Sequence, residues 1–310
     1  MRPITALVAA GTAVVILLTL AGFAARLWWR FELASHFRLQ YACLLLLAAL
    51  YLLVCGRRAL AGLALAGVVV NAACVLPIYA PRRESVSVDG THLRIISFNV
   101  LGKNNRHEEV LQFLRSEQAN IVLLMEISPQ WARAVKSLSD EYPHQHVVPR
   151  TDNFGIALLS REPWQAVRTL ELGDSEEPSI VAEFGDGDFT FVGTHPLPPG
   201  SAGLAAVRNN QLLALGEYVA NLRPRRIILA GDLNVTSYSP FFTDLLHQTG
   251  LVDTRQGFGL QASWGPFRFL EIPIDHCLVS PEMHVLRRRV GGHLGSDHRP
   301  VIVDLLRMNK

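Results

Sequence analysis

The stretch Arg225–Ser239, RRIILAGDLNVTSYS, decides the fold of the larger part of this chain. Its apolar run Ile227–Ala230 predicts a buried strand, because a strand that is covered on both faces can be apolar throughout. Gly231 then frees the backbone, and Asp232 and Asn234 follow on the same side of an extended chain. A carboxylate and a carboxamide would therefore leave the strand end side by side, either as part of a polar site or as an ordinary turn.

Polar residues stand at or near the ends of other apolar runs as well. The run LRIISFN ends in Asn99, IVLLME ends in Glu126, and FTFVGTH ends in His195. The run IDHCLV carries Asp275-His276, and SDHRPV carries Asp297-His298. Any one of these positions would be unremarkable, and it is their number and order that indicate a shared site.

These residues, taken in chain order, resemble the endonuclease/exonuclease/phosphatase superfamily, which includes deoxyribonuclease I, neutral sphingomyelinases and inositol polyphosphate 5-phosphatases. The resemblance covers about residues 90–308, and its most specific pieces are GDLN at 231–234 and SDHRPV at 296–301. It implies an α/β fold of the α+β sandwich type, with two packed, mainly antiparallel β-sheets flanked by helices. It also implies a metal-dependent phosphoric ester hydrolase, and the chain is similar to a bacterial membrane-anchored branch of the family.

Hydrolysis of an anionic phosphoester needs a cation, a base for water and donors for the developing charge. Glu126 ends a predicted buried strand and offers a hard oxygen ligand, which suits Mg²⁺, with Mn²⁺ as the alternative. The resemblance makes Glu126 the principal metal ligand and has Asn99 bind metal or phosphate. It makes Asp297 a ligand of a second metal site or an orienting group. Asn153, just before a Phe-Gly pair, could also reach the substrate.

The resemblance also assigns the proton transfers. It has Asp275 orient His298, since a carboxylate at one imidazole nitrogen fixes the tautomer and raises the basicity of the other nitrogen. His298 is then the base towards the attacking water, although another view of the family makes Asp232 the base, and the sequence leaves both open. Asn234 would hold the water or a phosphoryl oxygen, and His195 would donate to the phosphorus centre or to the leaving oxygen.

Three uncharged runs of 23, 18 and 23 residues precede this region. A helix of about 20 residues crosses a hydrocarbon core of about 30 Å. We therefore predict three transmembrane helices at about 4–25, 39–56 and 60–80. The alternative for the first run is a cleaved signal peptide, but this run is longer than the apolar region of a usual signal peptide and two more runs follow it. Asn71, inside the third run, could hydrogen-bond to a neighbouring helix or be tolerated near a turn.

The predicted organisation is a membrane domain at 1–83, a charged linker at 84–91 and a catalytic domain at 92–310. Eight of the 29 Lys and Arg residues but only one of the 27 Asp and Glu residues precede residue 84, so the remainder has a net charge of about −5. Proteins that bind duplex nucleic acid usually present a basic surface, so nucleic acid is a possible but not a favoured partner. Only one of the four cysteines, Cys277, follows the linker, which leaves that domain without an internal disulfide.

Three crossings would make the chain a multi-pass plasma (inner) membrane protein with its termini on opposite sides. The arginine count near the spans, three on the N-terminal side and five on the other, favours a cytoplasmic catalytic domain. The similar membrane-anchored bacterial proteins favour an extracytoplasmic domain that acts on the cell envelope. We expect the extracytoplasmic arrangement.

The leading functional hypothesis is a membrane-anchored, Mg²⁺-dependent phosphoesterase acting on a lipid or lipid-linked envelope substrate at the bilayer. Leu101 stands where the family's abasic-site endonucleases usually carry an acid, and Thr194-His195 resembles deoxyribonuclease and sphingomyelinase relatives, which disfavours base-excision repair. The alternatives are a membrane-tethered Mg²⁺-dependent endonuclease or exonuclease and, as a weaker hypothesis, a non-catalytic membrane binding protein. No protein partner can be inferred.

Hydrophobic periodicity predicts alternating strands and helices after the linker. The predicted helices are 107–119, 129–142, 203–222 and 240–249. The predicted strands are 93–99, 121–126, 154–160, 180–184, 189–194, 226–231, 274–279 and 301–306.

Overall fold

The computed structural model describes residues 3–81, 90–185, 188–222 and 226–308, except for the side chain of residue 308. The predicted linker 84–91 lies outside the described residues apart from its last two positions. The helices are α1 Pro3–Phe23, α2 Trp29–Ser35, α3 Arg38–Val54, α4 Arg58–Val75, α5 His107–Glu117, α6 Pro129–Val135, α7 Ala202–Asn221 and α8 Pro240–Thr249. The strands are β1 Gly90–Asn99, β2 Ile121–Met125, β3 His144–Val148, β4 Ile156–Ser160, β5 Trp164–Glu171, β6 Pro178–Phe184, β7 Phe189–Gly193, β8 Arg226–Asp232, β9 Val252–Asp253, β10 Asp275–Val279, β11 His284–Val290 and β12 Val301–Met308.

The strands form two six-stranded sheets with the same pairing pattern. Sheet A has the order β11-β12-β1-β2-β4-β3, and sheet B has the order β5-β6-β7-β8-β10-β9. Each sheet contains one parallel pair, β1 with β2 and β7 with β8, while its other pairs are antiparallel. The parallel pairs arise where α5 or α7 carries the chain back to the end at which the previous strand began. The prediction of two mainly antiparallel sheets is therefore confirmed, and each sheet is mixed because it contains one parallel pair.

The two sheets pack face to face between two layers of helices. Helices α5 and α6 cover the outer face of sheet A, and α7 and α8 cover the outer face of sheet B. Both sheets are therefore covered on both sides, which explains why their interior strands can be apolar along their whole length. The core between the sheets includes Ile95, Leu123, Leu158, Ala182, Phe191, Ile228, Val279 and Val303.

The strands that the sequence did not predict are the four at the sheet edges, β3 and β11 in sheet A and β5 and β9 in sheet B. Three of them are longer than two residues and are half polar, as in HQHVV of β3, WQAVRTLE of β5 and HVLRRRV of β11. No continuous apolar run marks such strands. The eight predicted strands are the interior strands of the two sheets.

The four helices predicted for the catalytic region correspond to α5, α6, α7 and α8. Helix α6 begins at Pro129, as a proline at the first helical position favours, and Ser128 Oγ accepts the N–H of Trp131 at 3.2 Å. The predicted span 129–142 is too long, because α6 ends at Val135 and only a short 3₁₀ turn, Lys136–Leu138, follows.

Two segments are long and apolar enough to cross a membrane, α1 and Arg58–Tyr79, which contains α4. The predicted span 39–56 corresponds to α3, whose 17 residues meet the same test only together with α2. These two helices are bent by 66° relative to each other. The three predicted spans are therefore reduced to two, or to three if the bent pair is one span.

A buried polar cluster joins the N-terminal helices. Asn71 Nδ2 in α4 donates to Thr19 Oγ1 in α1 at 2.9 Å, so of the two alternatives for Asn71 the structure has the hydrogen bond to a neighbouring helix. Arg38, at the start of α3, donates to the backbone oxygen of Thr19 at 2.9 Å. Thr19 and Asn71 lie one turn before the ends of α1 and α4, so these two helices end close to where α3 begins.

Helix α2 docks onto the sandwich through a buried ion pair. The side chains of Glu32 in α2 and Arg208 in α7 are both fully buried and pair with each other. Glu32 Oε1 also accepts a hydrogen bond from Ser239 Oγ at 2.8 Å, and His36 Nδ1 lies 2.9 Å from Thr236 Oγ1. The segment predicted as a membrane domain thus supplies a buried charge to the segment predicted as catalytic.

The substitution Glu32→Gln should destabilise the sandwich, because it leaves the Arg208 guanidinium buried without a counter-charge. Removing one partner of a buried ion pair costs about 3–5 kcal/mol. Asp244→Asn is the matched control, since Asp244 pairs with Arg26 at 2.8 Å on the exposed surface, where a pair contributes about 0–1 kcal/mol. Urea unfolding of the full chain in detergent, followed by tryptophan fluorescence, measures both free energies. Equal losses in the two variants would contradict the buried-charge argument.

Candidate active site

The polar residues singled out in the sequence converge at one end of the two packed sheets, where strands begin or end. Strands β1, β2, β7 and β8 end there, whereas β10 and β12, which run antiparallel to β8 and β1, begin there. Asp275 at the start of β10 lies directly opposite Asp232 at the end of β8. The side chains that meet in this way are Asn99, Glu126, His195, Asp232, Asp275 and His298.

Gly231 lets β8 approach β7 closely at the site. Its φ is +153°, and a Cβ atom there would lie 1.8 Å from the carbonyl oxygen of Thr194. The N–H of Thr194 in turn donates to the carbonyl of Ala230 at 3.1 Å. The two strands therefore stay paired up to the point where His195 and Asp232 leave them, and a side chain at position 231 would push the strands apart.

Two of the polar residues that follow strands at the site have a left-handed backbone, Glu126 with φ +61° and Asn234 with φ +50°. This conformation costs a non-glycine residue about 1 kcal/mol or more, so hydrogen bonds must hold it. The N–H of Gly102 donates to Glu126 Oε2 at 3.0 Å, and the N–H of Asn234 donates to Asp232 Oδ1 at 3.0 Å. Both turns are thus fixed by the acids of the site.

Asn99 lies at the centre of the group. Its Nδ2 donates to Glu126 Oε1 at 3.0 Å and to Asp232 Oδ2 at 3.3 Å, and it lies 3.4 Å from His298 Nε2. Its Oδ1 accepts the N–H of Leu101 at 3.1 Å, which fixes the plane of the amide. Asn99 therefore connects the Glu126 side of the site to the imidazole side.

The imidazole of His298 lies between two buried carboxylates. Its Nδ1 donates to Asp275 Oδ2 at 2.9 Å, and its Nε2 lies 3.5 Å from Asp232 Oδ2. His195 approaches the same Asp232 oxygen, with Nε2 at 3.4 Å. The arrangement is a chain of proton-carrying groups, Asp275–His298–Asp232, with His195 beside its end.

Burial and charge act in opposite directions on this chain. Burial lowers the pKa of His298, but the carboxylates of Asp275 and Asp232 raise it by more, to about 10. Burial raises the pKa of Asp232, but the imidazoles of His298 and His195 lower it by more, to about 2. The pKa of Asp275 is raised, chiefly because burial disfavours its charged form. In the metal-free protein at neutral pH, His298 is therefore a cation that keeps Asp232 ionised.

The other predicted site residues lie around this chain. Asn234 Nδ2 donates to the carbonyl of Pro196 at 2.9 Å, and Asp297 is exposed, with its Oδ2 accepting the indole N–H of Trp264 at 3.0 Å. Asn153 is exposed at the rim of the same cleft. His276 points away from the site, as its alternation with Asp275 on a strand implies, and its Nε2 lies 2.7 Å from the carbonyl of Val235.

A cleft of about 410 Å³ opens above these groups, and its apolar walls were not predicted. The Phe154 ring lies 5.3 Å from the His195 ring, and the Trp264 ring lies 6.2 Å from that of His298. The only sequence signal at these two positions is an aromatic residue directly before a glycine. The apolar lining residues are Phe154, Leu197, Pro198, Leu204 and Trp264.

The donor atoms of the site suit a divalent cation. One group, Asp232, Asp275 and His298, offers ligand atoms that all lie within 4.8 Å of one another. Asp275 Oδ1 is buried and accepts no hydrogen bond from the described residues. The carboxylate of Glu126 provides further hard oxygen donors, of the kind that Mg²⁺ and Mn²⁺ prefer, while Asn99 turns its Nδ2 towards Glu126 and its Oδ1 towards the N–H of Leu101.

Arg208 connects the site to the N-terminal helices. Its NH1 donates to the backbone oxygen of Asn234 at 2.7 Å, while its NH2 pairs with Glu32. Burial lowers the pKa of Arg208, and the charge of Glu32 opposes that shift. The left-handed turn after β8 is thus supported by a charge that α2 keeps neutralised.

The substitution Asp275→Asn should lower the pKa of His298 from about 10 towards its ordinary value of 6.5, because the Asp275 carboxylate is the largest influence that raises it. Because folding raises the pKa of His298, the charged imidazole stabilises the folded wild-type protein. This stabilisation is fully present below about pH 6.5 and is lost as the pH rises towards 10. Histidine-selective NMR titration of the metal-free protein measures the pKa. His276, whose pKa burial lowers to about 3, is the internal control that should stay neutral. An unchanged His298 titration would contradict the pairing.

Comparison with solved structures shows the same fold. A protein described as endonuclease/exonuclease/phosphatase from Beutenbergia cavernae DSM 12333 superposes with a TM-score of 0.56 at 20% identity, covering 70% of this chain and 72% of its own. TDP2 from C. elegans gives a TM-score of 0.56 at 16% identity, covering 71% of this chain and 77% of its own. A truncated C. elegans TDP2 gives 0.56 at 15% identity over 71% of this chain and 100% of its own. No curated protein sequence matches the chain.

The model of one protein family, described as Endonuclease/Exonuclease/phosphatase family, matches residues 96–298. The matched segment is more than half of the chain, and it begins within β1 and ends at His298, so it contains every residue of the Asp275–His298–Asp232 chain and its neighbours. Enzymes of this family are typically metal-dependent hydrolases of phosphoester bonds. The chain therefore belongs to the endonuclease/exonuclease/phosphatase family.

Proposed function

We propose that this protein is a membrane-anchored, divalent-metal-dependent phosphoesterase that hydrolyses a phosphodiester or phosphate ester of a lipid or lipid-linked substrate. The observation that carries the hydrolytic part is the buried chain Asp275–His298–Asp232, which ends beside Glu126 and Asn99 on the floor of an open cleft. In this proposal the two or three apolar spans anchor the protein in the inner membrane. The catalytic domain faces the extracytoplasmic side.

Glu126 would hold the cation together with Asn99, whose amide oxygen would have to turn from the N–H of Leu101 towards Glu126. Asp297 at the rim of the same cleft would serve as a ligand of a second metal site or as an orienting group. A bound Mg²⁺ or Mn²⁺ would neutralise the phosphoryl oxygens and stabilise the negative charge that develops on them. Glu126 is already held for this role, since its two oxygens accept hydrogen bonds from Asn99 and from the N–H of Gly102.

The chain's own residues would move the protons. Asp275 holds Nδ1 of His298, so that Nε2 faces Asp232 and the cleft. The ionised Asp232 Oδ2 would take the proton of the attacking water, or His298 Nε2 would take it after giving up the proton that it carries in the metal-free protein. His195, beside the same oxygen, would donate to the leaving oxygen. Asn234 and Asn153 line the cleft where they would contact the substrate.

The walls of the cleft suit an amphiphilic substrate. Polar groups form the floor, while Phe154, Leu197, Pro198 and Leu204 lie along the sides. A phosphoester headgroup would meet the polar floor, and an adjoining hydrocarbon segment would meet the apolar walls. Tethering by the N-terminal helices would also raise the effective concentration of a bilayer substrate.

A membrane-tethered nuclease is the alternative, because the matched family includes endonucleases and exonucleases by its description. The basic cluster Arg287–Arg289 does not form a free track for phosphates: Arg288 is buried, and Arg289 pairs with Glu117. The second cluster, at 223–226, lies outside the described residues except for its last position. The net charge of about −5 from residue 84 onward also opposes tight binding of nucleic acid.

The His298→Ala variant should hydrolyse the substrate about 10²- to 10⁴-fold more slowly than the wild-type protein, because it loses the proton-carrying imidazole. The measurement is Mg²⁺-dependent hydrolysis of phospholipids, a polyprenyl pyrophosphate and plasmid DNA by the full chain. His247→Ala, an exposed histidine on α8, is the matched control. Lipid turnover that is lost only in His298→Ala supports the proposal. If the wild-type protein nicks DNA but does not hydrolyse lipid, and nicking is lost in His298→Ala and weakened by salt, the nuclease alternative replaces the proposal.

The Glu126→Gln variant should need about 10- to 100-fold more Mg²⁺ for half-maximal activity, because a neutral amide is a weaker ligand for a hard cation than a carboxylate. Titration of Mg²⁺ against the hydrolysis rate measures this, and excess Mg²⁺ should restore part of the rate. Glu108→Gln, on the exposed face of α5, is the control. A lower maximal rate with unchanged Mg²⁺ dependence would show that Glu126 has another role.

A further inference from the structure

A short hairpin, Trp264–Ile272, forms one wall of the cleft and ends in two exposed aromatic side chains. Trp264 and Ile272 pair at its base, with N–H to carbonyl distances of 3.1 and 2.8 Å. Phe267 and Phe269 at its tip are 61% and 74% exposed, more than any other large apolar side chain among the described residues 90–308. Their rings stack on each other at 6.1 Å, so the pair forms one continuous apolar surface.

The tip lies where the apolar helices meet the sandwich. Gln40, in the first turn of α3, donates to the backbone oxygens of Phe269 and Glu271, both at 3.3 Å. Just after the C-terminal end of α4, the carbonyl of Ile78 accepts the N–H of Gly257 at 2.8 Å. The loop that carries the hairpin therefore runs along the ends of α3 and α4. Beyond Gln40, α3 continues almost entirely with apolar residues, YACLLLLAALYLLV.

Exposure of these two phenylalanine rings to water is unfavourable, because each Å² of apolar surface in water raises the free energy by about 25 cal/mol. Stacking covers only the facing sides of the two rings. Arg268, also exposed, stands between them in the sequence and adds a positive charge. Aromatic side chains beside a cation are the composition that the interfacial layer of a bilayer accommodates, with the rings among the acyl chains and the cation at the phosphate groups.

We propose that the Trp264–Ile272 hairpin is a bilayer-contacting element, in which Phe267 and Phe269 enter the lipid interface and Arg268 contacts the phosphate of the headgroups. This inference rests on the membrane anchoring in the proposed function, and it deepens that function by fixing which side of the catalytic domain faces the lipid. The occupant of the exposed aromatic surface is thus a lipid surface. The continuity with α3 through Gln40 favours this occupant over a second protein.

The base of the same hairpin reaches the reacting groups. The indole N–H of Trp264 donates to Asp297 at 3.0 Å, and Trp264 forms a β-bridge with His298. Phe267 is only three residues from Trp264, so their Cα atoms are at most about 10 Å apart. A lipid headgroup beside the tip therefore lies near the cleft wall. The substrate class that follows is a phosphoester whose hydrocarbon part stays in the bilayer during hydrolysis.

The test is fluorescence quenching of the full chain in nanodiscs made with brominated or ordinary phosphatidylcholine. Phe269→Trp should show quenching by brominated lipid beyond that of the wild-type protein, and Phe267→Trp provides a second probe at the same tip. Ala166→Trp is the control, because Ala166 is exposed on β5 at the opposite edge of sheet B. Its tryptophan should add no quenching.

Every other outcome overturns the proposal and says what is wrong with it. Quenching at neither tip position, with Trp28 and Trp29 quenched in the wild-type protein, would leave the anchor intact and remove the hairpin from the bilayer. No quenching of the native tryptophans would remove the membrane anchor itself. A dimer in detergent that is lost in the variant with Phe267→Ser and Phe269→Ser would assign the aromatic surface to a second copy of the chain. None of these readouts requires turnover, so a failed phosphoesterase assay is distinguishable from a failed bilayer contact.

Discussion

Two carboxylates buried on either side of one imidazole are the interaction on which the rest of the site depends. The antiparallel register of β10 and β8 sets Asp275 opposite Asp232, and two buried acids cannot both ionise there without a cation. His298 supplies that cation from the segment just before β12. Because β12 pairs with β1, this segment lies beside Asn99 at the end of β1. The acids come from sheet B and the imidazole and amide from sheet A, so the site is formed only when the two sheets are packed together.

The same rule for buried charge operates outside the cleft. Arg208 is buried beneath the turn that carries Asn234, and the acid that neutralises it, Glu32, comes from a helix near the N-terminus. A buried guanidinium without a partner would be costly enough to disturb that turn. The support of the loop after β8 therefore extends into α2, and a shift of α2 would be transmitted to the backbone oxygen of Asn234. The N-terminal helices are in this sense part of the framework of the site as well as its proposed anchor.

How much of the fold the sequence predicts follows from where each strand lies. Interior strands such as β2 (IVLLM) are covered by a helix layer on one side and by the other sheet on the opposite side, so burial selects an unbroken apolar run. Edge strands pair on one side only, and β5 and β11 also carry register irregularities and charged residues, features that protect an edge from pairing with other chains. Those features erase the periodicity by which a strand is recognised. The interior strands of each sheet can therefore be predicted from the sequence, whereas the edge strands cannot.

A similar division applies to the site. Asp, Asn, Glu and His at strand ends can be predicted because few residue types hold a cation or carry a proton, whereas any apolar residue can form a cleft wall. Trp264 and the aromatic tip beyond it leave no such signature, since WGPFRF has neither a strand nor a helix period. Their significance depends on a contact between Gln40 and Phe269, residues 229 positions apart, which only the folded chain brings together. Choice of substrate in the proposed enzyme would thus depend on how a nine-residue hairpin sits against the apolar helices, because the polar groups that hold a cation and carry protons leave that choice open.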